Sequence, residues 1–284
     1  IRHRCRVAYD GTGFCGFQLQ GGRNDSIEEE NKEKDDNSHA KTKHQRTSQR
    51  TVQGELEQVL SRRFQRLVKI VGAGRTDARV HVRGQAFHFD LYANEPGTLG
   101  ETATEEQPLF LSKLESSMNS MLPSDVVVWN LQKAPAPVLK SGIGTQTKPA
   151  WYVWSVMRDC DSKLYSYRLC IGDSMDPIER YHRWQYDWGN QIDPQRLERI
   201  LKLYEGEHDF VCFSGALEQQ ARKTGVTKNT VRTIQSVELV PERAYSQDDE
   251  VLDNSSRHEY YRIDIRLDGA LYKMVRNLVG TALE

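Results

Sequence analysis

The first clear pattern along the chain is an alternation. Residues 2–9 read Arg-His-Arg-Cys-Arg-Val-Ala-Tyr, which places Arg2, Arg4 and Arg6 on one side of an extended backbone and His3, Cys5, Val7 and Tyr9 on the other. This predicts a strand with one cationic face. Periodicity then disappears. Residues 21–50 hold one large aliphatic side chain, Ile27, among Asn, Ser, Gln and charges. Such a segment buries too little apolar surface to offset its ordering and is expected to be a disordered insertion. At Thr51, a helix-capping residue type, Val52, Leu56, Val59, Leu60 and Phe64 begin a helical spacing. Val68–Val71 predicts a short strand and Gly72–Gly84 a loop. Phe87, Phe89 and Leu91 alternate with Ala86, His88 and Asp90 as a further strand. Leu111, Leu114, Met118 and Met121 mark a second helix, and Asp125–Leu131 another strand.

Residues 133–160 are rich in proline and glycine and read as a linker or insertion. The order then recurs. Tyr165, Tyr167, Leu169 and Ile171 alternate. Asp193 and Pro194 open a helix carrying Leu197, Ile200, Leu201 and Tyr204. Thr230–Val240 and Glu259–Leu267 read as strands, and Leu271–Ala282 as a closing helix. The fold class expected is α+β. Two tandem ferredoxin-like β-α-β-β-α-β units with antiparallel sheets explain the order: residues 1–132, then the 133–160 linker, then 161–284, the last unit ending one strand short.

With 284 residues and 37 % apolar content, the chain can fill two small cores. No apolar run approaches the roughly 18 residues of a membrane span. The five cysteines form no CxxC pair, so neither a zinc ribbon nor a disulfide framework is supported, and a reducing compartment is expected. The chain opens on Ile1, as a processed or excised chain would. The formal net charge of −1 hides a segregation. Acids gather at 25–36 and 248–253, whereas Arg62, Arg63, Arg66, Lys69, Arg75, Arg79 and Arg83 crowd one stretch. Arg2, Arg4 and Arg6, together with Arg62, Arg63 and Arg66, form a candidate track for a phosphate backbone.

The densest candidate for chemistry is Gly72–Gln85. A dinucleotide fingerprint fails because Asp77 stands at the third glycine and a strand follows. A Walker pattern fails for want of Gly-Lys-Ser/Thr. One carboxylate remains, Asp77, flanked by Arg75 and Arg79, which would favour its ionised form. It could serve as nucleophile or base, with the arginines meeting phosphates. The plainer alternative is a structural loop in which Asp77 pairs with an arginine.

Gly74-Arg75-Thr76-Asp77-Ala78-Arg79-Val80-His81 resembles the Gly-Arg-Thr-Asp-Ala-Gly-Val-His signature of the tRNA pseudouridine synthase A family. Further stretches resemble the family in its order: Tyr9–Thr12 with Gly16-Phe17-Gln18, Thr51–Glu57, Gly84-Gln85 with His88-Phe89, Lys163–Tyr167, Gly206–Phe210, Arg232-Thr233-Ile234 and Tyr272–Thr281. The chain departs from the pattern at Arg79, where the family has glycine, at Phe17, where tryptophan is usual, and in an expansion around 140–160. The resemblance implies isomerisation of uridine to pseudouridine in tRNA, in or near the anticodon stem-loop, without metal or other cofactor, often by a homodimer. It implies that Asp77 is the catalytic aspartate, that Tyr165 faces the flipped uracil, that Arg276 pairs with the aspartate, and that Arg75 meets the target nucleotide. His81 and His208 stay outside this set. The alternative is a catalytically weak homologue that binds or remodels RNA, with Arg79 as the feature favouring it.

Overall fold

The computed structural model describes residues 1–18, 50–93, 95, 107–140, 150–172, 175–186, 192–215, 217, 229–242 and 258–284. The insertion expected at 21–50 falls outside them except for Arg50. Two units emerge from the contacts, Ile1–Asp159 and Cys160–Glu284, and both are mixed α+β.

The first unit contains β1 (Arg2–Tyr9), α1 (Val52–Phe64), β2 (Ile70–Gly72), β3 (Val82–Asp90), α2 (Gln107–Met121) and β4 (Val126–Lys133). Its sheet runs β2-β3-β1-β4, antiparallel throughout, with Cys5 opposite Phe87 and Val7 opposite Val128. The alternation along β1 sends Cys5 and Val7 into a core shared with Phe87, Phe89, Val128, Leu56 and Leu60 of α1, and Leu114 and Met118 of α2. Arg4 and Arg6 stay exposed on the opposite face. α1 starts where the Thr51 hydroxyl accepts from the Gly54 N–H at 3.2 Å and stops where Gln65 turns left-handed at φ 54°. Glu57 is buried, yet its carboxylate accepts from Ile70 N–H (3.1 Å), Gln53 Nε2 (2.7 Å) and Lys69 Nζ (3.1 Å), tying α1 to β2. Arg50 belongs to this folded body, with its guanidinium donating to both Asp125 oxygens (2.6 and 2.8 Å) and to Glu55 (2.7 Å).

After β4, β5 (Val138–Lys140) pairs antiparallel with β6 (Ala150–Tyr152), and Leu139 opposes Trp151. A strap over 153–159 follows. Val156 is buried and its N–H donates to His88 Nδ1 at 3.3 Å. His88 alternates with the core residues Phe87 and Phe89, so the strap lies on the sheet face opposite the helices.

The second unit contains β7 (Lys163–Gly172), β8 (Trp184–Tyr186), α3 (Pro194–Lys202), β9 (Gly206–Asp209), β10 (Val231–Glu242), β11 (His258–Leu267) and α4 (Met274–Leu283). Its sheet order is β8-β7-β11-β10-β9. β8 runs parallel to β7, and the other pairs are antiparallel. Leu169, Ile234, Ile263 and Ile265 pack beneath Leu197 and Leu201 of α3 and Met274, Leu278 and Val279 of α4. Asp193 caps α3 by accepting from Gln195 N–H at 2.9 Å. The other sheet face carries an ion network in which Glu242 binds Arg183 (2.7 Å) and Arg262 (2.8 Å), and Arg262 also binds Asp264 (3.0 Å). The short β8 and β9 are additions to the strands expected from sequence.

Candidate active site

Asp77 sits on the irregular segment between β2 and β3, and the turn after β1 holds that segment in place. Tyr9 is buried, and its hydroxyl meets Thr76 Oγ1 at 2.8 Å. Phe17 N–H donates to Thr76 O (3.2 Å), and Arg79 N–H donates to Phe14 O (3.3 Å). The approach is close enough to dictate glycine twice. A Cβ on Gly11 would lie 2.2 Å from Val80 O. Gly16, at φ +118°, would put one 2.7 Å from Thr76 O. Gln85 closes the other end, donating to Gly74 O at 2.8 Å. His81 is half-buried beside this turn, with Nδ1 3.2 Å from Gly11 N and 3.0 Å from Asp10 Oδ1.

The carboxylate so positioned is exposed and takes no side-chain hydrogen bond or ion pair from the described residues. Arg75 and Arg79, its neighbours in sequence, are exposed and do not bond it. A purely structural Asp–Arg pair is therefore not what the loop builds. Arg79 has φ +63°, the left-handed conformation that its glycine-like position calls for.

In the second unit, Tyr165 lies on β7 opposite Ile265, half-buried against the core, with burial raising its phenol above the usual range. Tyr167 shares its face and packs edge-on to Trp184 at 5.5–6.1 Å spacing within the Tyr167–Trp184–Tyr186 row. Burial raises Tyr167 too, and the charge of Arg276 opposes that rise. Arg276 is exposed on α4. With Cys212, Phe213, Asn277, Gly280, Thr281 and Glu284 it lines a hollow of about 440 Å³. Asn277 Nδ2 donates to Phe213 O at 2.8 Å, and Gly215 N–H donates to Tyr272 O at 2.8 Å, so the segment after β9 is fastened to the start of α4. His208 is exposed, with its Nε2 2.9 Å from Glu205 O.

Arg75 and Asp77 thus share one loop of the first unit, while Tyr165 and Arg276 occupy a strand and a helix of the second. Tyr9, Gly11, Gly16 and Gln85 support this loop by contact and close approach. Their presence beside the aspartate loop was visible in sequence only as stretches accompanying it.

Residues 200–284 match the family model described as tRNA pseudouridine synthase, a span that includes Arg276 but not Asp77. Similarity to curated proteins extends further. The tRNA pseudouridine synthase A 1 of Bacillus cereus is 29 % identical over 285 residues, covering 99 % of this chain and 82 % of the relative. The tRNA pseudouridine synthase A of a Geobacillus species is 28 % identical, covering 100 % and 82 %. That of Thermodesulfovibrio yellowstonii is 28 % identical, covering 100 % and 84 %.

Proposed function

We propose that this chain, similar to tRNA pseudouridine synthase over residues 200–284 and to curated tRNA pseudouridine synthases A over nearly its whole length, is an isomerase acting on tRNA, and that Asp77 is the carboxylate with which it converts uridine to pseudouridine. The observation that carries this reading is a carboxylate left unpaired at the surface of a loop whose backbone is clamped on both sides. A group spent on holding the fold would be paired. A positioned and unspent one is available to a substrate.

The reaction breaks the N1–C1′ glycosidic bond, turns the uracil, and joins C5 to C1′; C5 loses a proton and the freed N1 gains one. Atoms are conserved and no electrons are exchanged, so no redox partner is required. Asp77 acts either as nucleophile at C1′ or as base toward C2′. The target nucleotide must leave its stack to be reached. Arg75, exposed two residues before Asp77, meets its phosphate or assists its extrusion. Tyr165 offers an aromatic face to the uracil, and its raised phenol keeps the hydroxyl protonated at neutral pH. Arg276, exposed on α4 of the second unit, is the cation that the resemblance assigns to the reaction. The target uridine lies in or near the anticodon stem-loop. The order β2-β3-β1-β4 with helices on one face supports the ferredoxin-like reading of the first unit.

The test uses unmodified tRNA transcripts, with pseudouridine mapped by carbodiimide-dependent reverse-transcription stops. Asp77→Asn abolishes the product while melting temperature and tRNA affinity stay near those of the parent. Arg276→Met, which keeps the apolar stem, lowers turnover without unfolding. Full turnover by Asp77→Asn sinks the mechanism. Binding of tRNA by the parent chain with no product favours the RNA-binding alternative.

A further inference from the structure

His81 takes no part in the proposed chemistry, yet it closes the segment that carries Asp77. From Asp77 to Val80 the chain makes a tight turn, with Val80 N–H donating to Asp77 O at 3.4 Å and Arg79 left-handed at φ +63° in its third place. His81 follows directly, and β3 begins at Val82, opposite Tyr9. The imidazole is 28 % exposed, and its Nδ1 reaches across to the turn after β1. There it lies 3.2 Å from Gly11 N and 3.0 Å from Asp10 Oδ1. Both partners are themselves held. Asp10 Oδ1 accepts from Thr12 N–H (3.0 Å) and from the Thr12 hydroxyl (2.6 Å), and Asp10 N–H donates to Asp125 O (3.0 Å). Gly11 is buried against Val80, with no room for a Cβ.

One ring nitrogen thus faces a donor and an acceptor. With its proton on Nε2, the neutral ring accepts from Gly11 N–H. With a proton on Nδ1, it donates to the Asp10 carboxylate. Residue 81 is tied to the β1 turn in either form. We infer that His81 is a positioning residue for Asp77: through Nδ1 it fixes the downstream end of the turn, and with it the direction in which the carboxylate is presented. The inference rests on Asp77 being the reacting group and adds a residue that acts through it. Bonds from Tyr9, Phe17 and Gln85 hold residues 74 and 76, upstream of Asp77. Downstream, Phe14 O takes Arg79 N–H and His81 supplies the side-chain anchor. A carboxylate held from one side alone could swing about the other, and a reacting group displaced by about 1 Å loses about 10²-fold in rate.

The test measures single-turnover pseudouridine formation by the full chain on an unmodified tRNA transcript, with tRNA affinity and amide hydrogen exchange followed alongside. His81→Ala lowers the rate at saturating tRNA about 10²-fold, leaves affinity near the parent's, and quickens exchange at the Gly11, Arg79 and Val80 amides. His81→Asn, whose amide reaches the place of Nδ1, recovers most of the rate. His81→Gln, whose amide reaches the place of Nε2, does not. Asp193→Ala, which destabilises the second unit by removing the cap of α3, leaves the rate unchanged. Recovery by glutamine and not by asparagine overturns the inference, because Nε2 is then the working atom. A parent-like rate in His81→Ala overturns it too, as does unchanged exchange at those amides or an equal loss of rate in Asp193→Ala. A parent chain that forms no pseudouridine, with exchange still quickened in His81→Ala, leaves the anchor standing and overturns the reaction instead.

Discussion

Arg79 occupies a backbone conformation that a side chain disfavours by about 1–2 kcal/mol, and its exposed guanidinium makes no side-chain bond with the described residues to offset that cost. Glycine there relieves the strain but adds freedom to the unfolded chain. Arg79→Gly is expected to stabilise the first unit by a net of about 0.5–1 kcal/mol, seen as a rise of a few degrees in calorimetric melting. An unchanged or lower melting temperature contradicts the strain. This position was legible in the sequence because one residue broke an otherwise matching stretch. The burial of Glu57 was not legible. A glutamate within a helix reads as surface, and only the pairing of α1 with β2 brings the Ile70 N–H to its carboxylate.

At the level of elements, α1 and α3 were readable because their capping residues and apolar stripes agree with each other. β8 and β9 were not, since three or four residues carry too little alternation to register, and all four residues of β9 are exposed. The clasp on the Asp77 loop was hidden for another reason: its contacts join segments about sixty residues apart, and no local pattern encodes them. Two substitutions separate its role from ordinary stability. Thr51→Ala removes the cap of α1 and costs about 1 kcal/mol of stability, with little effect on turnover at saturating tRNA. Gly11→Ala forces Val80 O away from a new Cβ that would lie 2.2 Å from it. That shift passes to the aspartate loop and lowers turnover by about 10²-fold, the cost of misplacing a reacting group by about 1 Å. Equal turnover losses in the two variants would remove the clasp from the catalytic argument.

Across the whole molecule, the two units should respond differently to acid. His3 and His88 are buried in the first unit, and both are lowered to about 4. Burial is the main cause in each, aided by the chain's amino group and Lys133 for His3 and by Arg2 for His88, with Asp90 opposing in both. A histidine lowered on folding binds its proton more readily in the unfolded chain. Its contribution is therefore whole above the unfolded value near 6.5 and is lost as pH falls toward 4. The loss approaches roughly 3 kcal/mol per histidine. In the second unit the relevant groups are carboxylates. Burial pushes Glu242 up, but Arg183, Arg168 and Arg262 outweigh it and hold it below its ordinary value. Glu205 is lowered by Lys202 and the Val237 N–H. Their contributions hold until pH falls through and below about 4.5. Hydrogen exchange between pH 7 and 4.5 should show the first unit losing protection while the second keeps it. His3→Leu should flatten that dependence, and simultaneous loss in both units would contradict the assignment.

The main-chain clasp between the β1 turn and residues 76–80 also bears on how the site can change. Because the Asp77 loop is shaped by bonds to Thr76 O, Phe14 O and Gly74 O, its form depends little on the side chains it displays. It is a mould with exchangeable inserts. Positions 75 and 78 can vary and so retune which RNA is gripped, while the carboxylate at 77 keeps its place.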